Sequence, residues 1–404
     1  MSDASPLVTI GIPSYECARF IGEAIASALS QDFTDLEVVV IDDRSGDGTV
    51  EVARSFDDPR VRVIVNEENI GGARNWNRVL AEARGRYVKV MGCDDVLLPG
   101  SVAAQFAVME ADPRVVISTG PREIIAEKGW RVMRRGNGPL HGHVAGAAAG
   151  REMVRRGANL VGEPCAALLR ASAVAQVGGF DLANPYCIDM DMWLRLLEVG
   201  DLFVLDRPVC RYRIVSTSWS RAVADTQDSD VIALLESTVA RGAFGATEAD
   251  AAAGTKATRS HAVGRRLVYR VLFDVEMHRR IKYLVVGGWN TVFGYLAFSA
   301  LYFLLGERVG YAPVLIASFA LGMLNNYFCY KWFVFKSAGT FLQEFPRFSL
   351  VYLVVLAANL VAFPWLTKTL GLSPYLSQAV FTVVVVVSTY IVNKRFSFRT
   401  EAKS

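Results

Sequence analysis

Apolar residues occur in two regimes along this chain. Before about residue 240 they form short β-branched runs separated by polar turns; beyond about residue 280 they merge into long stretches. In the first regime Leu7-Val8-Thr9-Ile10-Gly11-Ile12, Leu36-Glu37-Val38-Val39-Val40-Ile41, Val61–Val65 and Val88-Lys89-Val90-Met91 read as strands. Short, near-continuous apolar runs are what a strand buried on both faces requires. Helical patterns lie between them, from about Ala18 to Ser30, from about Thr49, and from Asn75 to about Ala83. Strands alternating with helices of roughly 10–15 residues predict a mostly parallel, Rossmann-like α/β sheet.

In the second regime four apolar stretches, about Tyr283–Leu305, Tyr311–Tyr330, Leu350–Leu366 and Tyr375–Val392, each approach the ~20 residues of a spanning helix. Basic residues cluster before the first (Arg279, Arg280, Lys282), between the second and third (Lys331, Lys336, Arg347) and after the fourth (Lys394, Arg395, Arg399). The positive-inside rule then puts both ends in the cytosol. The region also repeats itself. Tyr327, Lys331, Phe333 and Phe335 recur at the same spacing as Tyr390, Lys394, Phe396 and Phe398, which predicts a two-helix unit used twice. No Asp or Glu lies inside the four stretches, so a carboxylate proton relay is not expected. Asn290, Asn325, Asn326, Asn359 and Asn393 do lie in or beside them. Helix-to-helix hydrogen bonds are their plain role, and a lipid-phosphate or sugar site the alternative.

Between the two regimes, Ala240–Thr258 is rich in Ala and Gly and reads as a flexible linker. Val263 to Arg280 has apolar residues at helical spacing with Arg265, Arg266 and Arg270 elsewhere, an interfacial amphipathic pattern suited to membrane lipids, or a core-packing one. The expected domains are 1–239, a linker with interfacial helix over 240–277, and a membrane domain over 278–404.

Composition adjusts this picture little. Hydrophobic residues are 52% and the mean hydropathy is +0.27, the excess lying in the last third. A net charge of +3 gives no global polyanion surface, so nucleic acid is not an expected partner. The six cysteines show neither CxxC nor Cys/His spacing and fit a reducing compartment without zinc. Met1 to Pro6 has no apolar core of a cleavable signal, which agrees with a cytosolic first domain.

The candidate chemistry sits where strands end. Val90 is followed by Met91-Gly92-Cys93-Asp94-Asp95, two carboxylates at the carboxyl end of a strand, where open α/β sheets bind ligands. Such a pair suits Mg²⁺ or Mn²⁺ carrying a diphosphate, although Asp is also common in plain turns. No GxGxxG follows the first strand, so a dinucleotide fingerprint is absent. His141-Gly142-His143 has no acidic residue nearby in sequence and reads as a loop feature.

Seven short motifs in order resemble family-2 glycosyltransferases with the GT-A fold. They are Ile12-Pro13-Ser14-Tyr15, Val40-Ile41-Asp42-Asp43-Arg44-Ser45, Asn69-Ile70-Gly71-Gly72-Ala73-Arg74-Asn75, Asp94-Asp95, Gly178-Gly179-Phe180-Asp181, Asp189-Met190-Asp191-Met192-Trp193-Leu194-Arg195 and Tyr212-Arg213. The resemblance covers about residues 5–220. It implies that Tyr15 stacks on a nucleotide base beside the Pro13 backbone, and that Asp43, with Asp42 alongside, accepts a hydrogen bond from that base. Asp94 and Asp95 resemble the metal and ribose carboxylates, the two roles undivided. Arg74 would neutralise phosphate, or lie on a solvated helix face. Asp189 resembles the general base of an inverting transfer, with Asp191 two residues on as its rival; helix N-terminal charge is the plain reading of Asp191. Three positions depart from the family pattern: Gly92 where another Asp often stands, Ile188 where Glu is common, and Val215 where a metal-contacting His can occur. Glu163-Pro164-Cys165 resembles the acceptor-side loop.

The last part, about residues 278–399, resembles the GtrA-like family through Val286-Gly287-Gly288-Trp289-Asn290-Thr291, Asn325-Asn326 and the two Lys-x-Phe-x-Phe endings. That family is associated with moving or presenting polyprenyl-phosphate-linked sugars. The combined expectation is a GT-A catalytic domain plus an all-α, multi-pass domain of four transmembrane helices in a bacterial inner membrane. Its reaction would be hexosyl transfer from a nucleotide sugar to a lipid-linked acceptor, polyprenyl phosphate foremost. Translocation of a lipid-linked sugar, and polysaccharide synthesis on a passive anchor, are the alternatives.

Overall fold

The computed structural model describes residues 6–183, 187–215, 227–273, 275–309, 311–337, 339–369, 384, 386 and 388–397. The chain divides into two compact units, residues 1–265 and 266–404.

The first unit opens with β1 (Val8–Ser14), α1 (Ile21–Leu29), β2 (Leu36–Asp42), α2 (Thr49–Arg54), β3 (Val61–Val65), α3 (Gly72–Glu82) and β4 (Tyr87–Val90). β2 and β4 flank β1 and β3 lies outside β2, all parallel. Residues alternate between the two faces of the sheet. Val39 and Ile41 join a core with Val79 of α3, while Val38 and Val40 join another with Ile21 and Ile25 of α1. Each such fully buried Val or Ile stabilises by about 1.5–3 kcal/mol relative to exposure. Gly11 is required by close approach: a Cβ there would stand 2.0 Å from Val79 Cγ1.

The chain continues through β5 (Val96–Leu97), α4 (Ser101–Ala111), β6 (Val115–Thr119), β7 (Arg122–Ala126), β8 (Arg131–Arg135), β9 (Gly142–Val144), α5 (Gly146–Arg156), β10 (Leu168–Arg170), α6 (Ala171–Val177), α7 (Ile188–Val199), β11 (Asp201–Val204), β12 (Cys210–Ile214) and α8 (Gln227–Ala240). The main sheet has the order β3-β2-β1-β4-β10-β6-β11-β9. β10 runs antiparallel to both β4 and β6, so beyond β4 the sheet is mixed rather than parallel. A second sheet, β5-β12-β7-β8, stands beside the β4 tip. Pro13 fits inside the central strand because β4 ends level with Gly11, where Met91 N–H makes the last bond to the Gly11 carbonyl; Pro13's missing donor therefore faces no partner strand.

The expected linker is not one. After a short 3-10 turn, α9 (Glu248–Phe273) runs through it. Thr247 and Asp250 form a reciprocal cap, Thr247 N–H to Asp250 Oδ2 at 2.9 Å and Asp250 N–H to Thr247 Oγ1 at 3.3 Å. Asp250 also accepts from Arg151 Nε at 3.0 Å, and Gly254 packs against the Val154 carbonyl of α5. Its Ala content acted as helix propensity rather than looseness. The interfacial-helix expectation concerns side chains of residues 261–280, which lie outside the described residues.

In the second unit, α10 (Val275–Val309), α11 (Tyr311–Cys329) and α12 (Phe341–Lys368) cover the first three apolar stretches; most of the fourth lies outside the described residues. Among the described residues one helical segment, Ile281–Leu305, is long and apolar enough to cross a membrane. Both copies of the repeated motif end in a π-helical turn, at Tyr330–Phe335 and Asn393–Ser397. In the first copy Lys331 pairs with the buried Glu344, which also accepts from the Tyr327 hydroxyl at 2.9 Å.

Candidate active site

The tips of β1 and β2 carry Pro13, Asp42 and, just beyond, Tyr15 and Asp43. Tyr15 is 54% exposed. Asp42 is fully buried and accepts from Ser14 Oγ (2.9 Å), Ser45 N–H (2.8 Å) and Ser45 Oγ (2.7 Å). Asp43 accepts from Asn66 Nδ2 (2.7 Å), Ile70 N–H (2.8 Å) and Gly71 N–H (2.9 Å). A carboxylate offers about four lone-pair sites, so each has roughly one left for a ligand. Both therefore build the loops as well as line them. Arg74, on the first turn of α3, is exposed and unpaired among the described residues. Asn75 of the same motif is a packing residue, its Nδ2 donating to the Ile41 carbonyl at 2.8 Å.

Asp94 and Asp95 follow β4. Asp94 Oδ1 and Asp95 Oδ2 each lie 3.0 Å from the point where a Cβ on Gly92 would stand. The absence of a side chain at position 92 is what lets the two carboxylates converge. Arg213 of β12 braces them: its N–H donates to Asp95 Oδ1 (3.0 Å), its Nε to the Asp94 carbonyl (2.8 Å) and its Nη2 to Glu23 (2.6 Å). Burial pushes the Asp94 carboxyl up to about 6, with Arg213 opposing. Burial and then the charge on Asp94 push Asp95 well above the carboxylate range. Two crowded carboxylates that resist ionising fit a divalent cation, which would relieve their repulsion. Among the described residues no third His, Cys, Asp or Glu completes a cluster. That set fits Mg²⁺ or Mn²⁺, whose remaining positions go to phosphates and water. Val215, where a His was a possibility, is buried and apolar.

Asp189 starts α7. Its Oδ2 accepts from Asn159 Nδ2 at 2.9 Å and its Oδ1 from Met190 N–H at 2.6 Å. Burial pushes this carboxyl up to about 7, and the charge on Glu163 adds to the shift. Glu163 behaves oppositely: burial would raise it, but Arg122 and Arg135 hold it below the usual range. Neighbouring carboxylates driven apart in this way are the signature of an acid–base site. Asp191 is a different case. Arg195 grips its Oδ2 through Nε (2.8 Å) and Nη2 (2.7 Å), and donates onward to the Val177 and Gly179 carbonyls. Through Arg195, Asp191 fastens the Gly178-Gly179 turn, and two residues along a helix from Asp189 its side chain points a nearly opposite way.

One short 3-10 turn, Pro164–Ala166, links the two sites. Glu163 before it acts on Asp189, and the Cys165 thiol donates to Asp95. Beneath it, the fully buried Lys89 donates to the Cys165 and Ala167 carbonyls, each at 3.0 Å. Asn159 and Arg122 carried no motif in the sequence, and only the fold brings them here. His143 does have acidic partners: β9 sets its Nε2 3.0 Å from Asp201 and 3.6 Å from Asp112, away from these groups in the sheet order.

The family model described as Glycosyl transferase family 2 matches residues 9–178, and GtrA/DPMS, transmembrane domain, matches residues 282–398. The chain belongs to the family-2 glycosyltransferases: it is an enzyme, a nucleotide-sugar glycosyltransferase. It carries a GtrA/DPMS transmembrane domain behind the catalytic one and is a membrane protein. An uncharacterized protein of Mycobacterium tuberculosis is 31% identical over 232 residues, 55% of this chain and 72% of that one. Chondroitin synthase of Escherichia coli is 28% identical over 212 residues, 52% of this chain and 29% of that enzyme. The solved structure of residues 1–349 of S. aureus TarS aligns with a TM-score of 0.49 and 16% identity, covering 78% of this chain and 91% of that one.

Proposed function

We propose that the protein is an inverting, divalent-metal-dependent transferase. It moves a sugar from a nucleotide donor to a lipid-linked acceptor on the cytosolic face of a bacterial inner membrane. The observation that carries this reading is the Asp189 carboxyl, pushed to about 7, oriented by Asn159 and linked to the Asp94–Asp95 pair through the Pro164–Ala166 turn. Tyr15 stacks on the donor base beside Pro13, the open lone pairs of Asp42 and Asp43 take its N–H groups, and Arg74 meets a phosphate. Asp94 and Asp95 would hold Mg²⁺ or Mn²⁺, which when bound neutralises charge on the departing diphosphate. Asp189 takes the proton of the acceptor hydroxyl as that oxygen bonds to the anomeric carbon and the nucleoside diphosphate leaves. Attack by that oxygen as the diphosphate leaves is a single displacement, and hence inverts the anomeric centre.

A base near 7 favours an acceptor that attacks through a hydroxyl, such as the sugar of a glycosylated lipid. Polyprenyl phosphate is the second reading, favoured by the GtrA/DPMS domain in the same chain. Its phosphate oxygen is already largely anionic at neutral pH and needs no base. We further propose that residues 278–404 cross the bilayer four times, supported by the duplicated motif and its two π-turns. The test is nucleoside diphosphate release by the full chain in nanodiscs, over a panel of nucleotide sugars with Mg²⁺ or Mn²⁺ and either lipid class. Release that needs metal and lipid and is lost in Asp189→Asn is expected. Release indifferent to lipid would leave the membrane domain as an anchor for polysaccharide synthesis, and no release would favour lipid-sugar translocation.

A further inference from the structure

Around β4 the chain alternates between the two cores of the sheet: Val88 and Val90 join one, Tyr87 and Met91 the other. Lys89 falls on the Tyr87–Met91 face and is fully buried there. Burial pulls its ammonium down to about 8. Methionine would fill the same place without the cost of burying a charge. What a lysine adds is at its tip, where Nζ donates to the Cys165 and Ala167 carbonyls, each at 3.0 Å. Gln105 of α4 takes the carbonyl between them: its Nε2 donates to Ala166 at 2.8 Å and to the Ser118 carbonyl at 2.7 Å. Residues 165–167 are fully buried, and buried carbonyls need partners. Long side chains from β4 and α4 supply them and fix the turn against the sheet.

Cys165 is the residue whose place this decides. Its Sγ lies 3.3 Å from Cys210 Sγ, and its thiol donates to Asp95. A thiol carries one hydrogen, so Cys210 donates to Cys165 and Cys165 in turn to Asp95. Asp95 thus has two donors from outside its own loop, the Arg213 N–H at 3.0 Å and this thiol. The second depends on where the turn sits, and Lys89 grips the carbonyl of the very residue that donates. We infer that Lys89 is a positioning residue for the Asp94–Asp95 pair, acting through the Cys165 thiol to hold the Asp95 carboxylate in its ligating orientation. The inference rests on the reading that these two aspartates hold a divalent cation.

The test is Mn²⁺ binding to the full chain in phosphatidylcholine nanodiscs with UDP or GDP present, read from loss of the free-ion spin-resonance signal. No turnover enters it. Lys89→Met keeps the volume and removes the donors, while Cys165→Ala removes the thiol. Each should weaken Mn²⁺ binding about tenfold, the lower end of what losing a ligand's support costs. Because Lys89 acts through Cys165, the double variant should also stand near tenfold, far from the roughly hundredfold of independent losses. Lys89→Gln, which keeps an amide donor, should lie between wild type and Lys89→Met, and it takes that variant's place in the cycle should Lys89→Met fail to fold. A lysine that only supports the fold would lower the urea midpoint and leave Mn²⁺ affinity unchanged. That result, or additive losses in the double variant, would overturn the role of Lys89 alone. A wild-type chain that binds no Mn²⁺ would instead remove the metal reading, and the inference with it.

Discussion

Asn159 Nδ2 donates to Asp189 Oδ2 across 2.9 Å, joining the start of α7 to a loop 30 residues earlier. The loop is fixed in turn: Asn159 Oδ1 accepts from Gly162 N–H at 2.8 Å, and the fully buried Trp193 of α7 donates to the Gly162 carbonyl at 2.9 Å. The Asp189 carboxylate is thus oriented from outside its own helix, and a donor on it favours the charged form.

Asn159→Ala should therefore do two things at once. Loss of orientation should lower kcat by about tenfold, a fraction of the roughly 10²–10⁴ that general base catalysis supplies. Loss of a donor should raise the base's pKa and move the rate limb to higher pH. A full pH–rate profile of kcat checks both, and a uniform drop with an unmoved limb would mean that Asn159 only supports the fold.

The value near 7 for Asp189 makes the pH response itself informative. If the acceptor attacks through a hydroxyl, kcat should rise with pH and reach half its plateau near 7. Glu163→Gln removes a like charge and should shift that midpoint down by roughly one unit. A profile flat across this range, with Asp189→Asn still active, would point to a phosphate acceptor.

The same shift has a stability consequence of defined sign. Folded Asp189 keeps its proton to about 7, against the ordinary 3.8, so the folded state binds more protons between those values and stability falls as pH rises through that window. Asp189→Asn does not titrate. Its unfolding midpoint should exceed the wild-type value at pH 8 and approach it toward pH 4, as differential scanning fluorimetry would show. A residue whose removal stabilises the fold while abolishing turnover is held for chemistry.

Local sequence carried the β1–β4 core, because strands buried on both faces show as apolar runs and their ligand-facing tips as polar ones. It placed Asp94 and Asp95 at such a tip, whereas Asp189, at the start of α7, stood out only through the family resemblance. What it hid was long-range. Arg213 reaches Asp95 from 118 residues away, Arg122 reaches Glu163 from 41, and the strand β12 that presents Arg213 belongs to a separate sheet. No spacing rule links such positions. It also hid the difference between Asp189 and Asp191, which share a helix start and differ in that Arg195 sits one turn beyond Asp191. The Ala-rich stretch misled because flexibility and helix propensity use the same small residue, and the Thr247–Asp250 cap was the signal that separates them.

The buried Arg122–Glu163 pair should show the asymmetry of such pairs. Arg122 is 1% exposed and Glu163 18%. Arg122→Met leaves Glu163 facing Asp189 without its main counter-charge and should cost about 3–5 kcal/mol in unfolding free energy. The double variant Arg122→Met/Glu163→Gln should recover much of that loss, since no charge is then stranded. Urea unfolding of the four proteins in the cycle measures this, and additive losses would mean that the two side chains do not act as a pair.

Gly92 offers the sharpest check on the carboxylate pair. A methyl at this position would stand 3.0 Å from an oxygen of each aspartate, closer than nine in ten Cβ contacts. The aspartates cannot simply retreat, because Asp95 Oδ1 is tied to the Arg213 N–H and the Asp94 carbonyl to Arg213 Nε. Gly92→Ala should therefore splay the oxygens and weaken Mn²⁺ binding about tenfold, the lower end of what disturbing a ligand's support costs. Titration calorimetry with Mn²⁺ and nucleoside diphosphate reads the affinity directly. Chelator should abolish turnover of the wild type, and added Mn²⁺ should restore it, at a higher half-saturating concentration in the variant. Turnover that persists in excess chelator would remove the metal role from Asp94 and Asp95 and leave them as a hydrogen-bonded turn braced by Arg213.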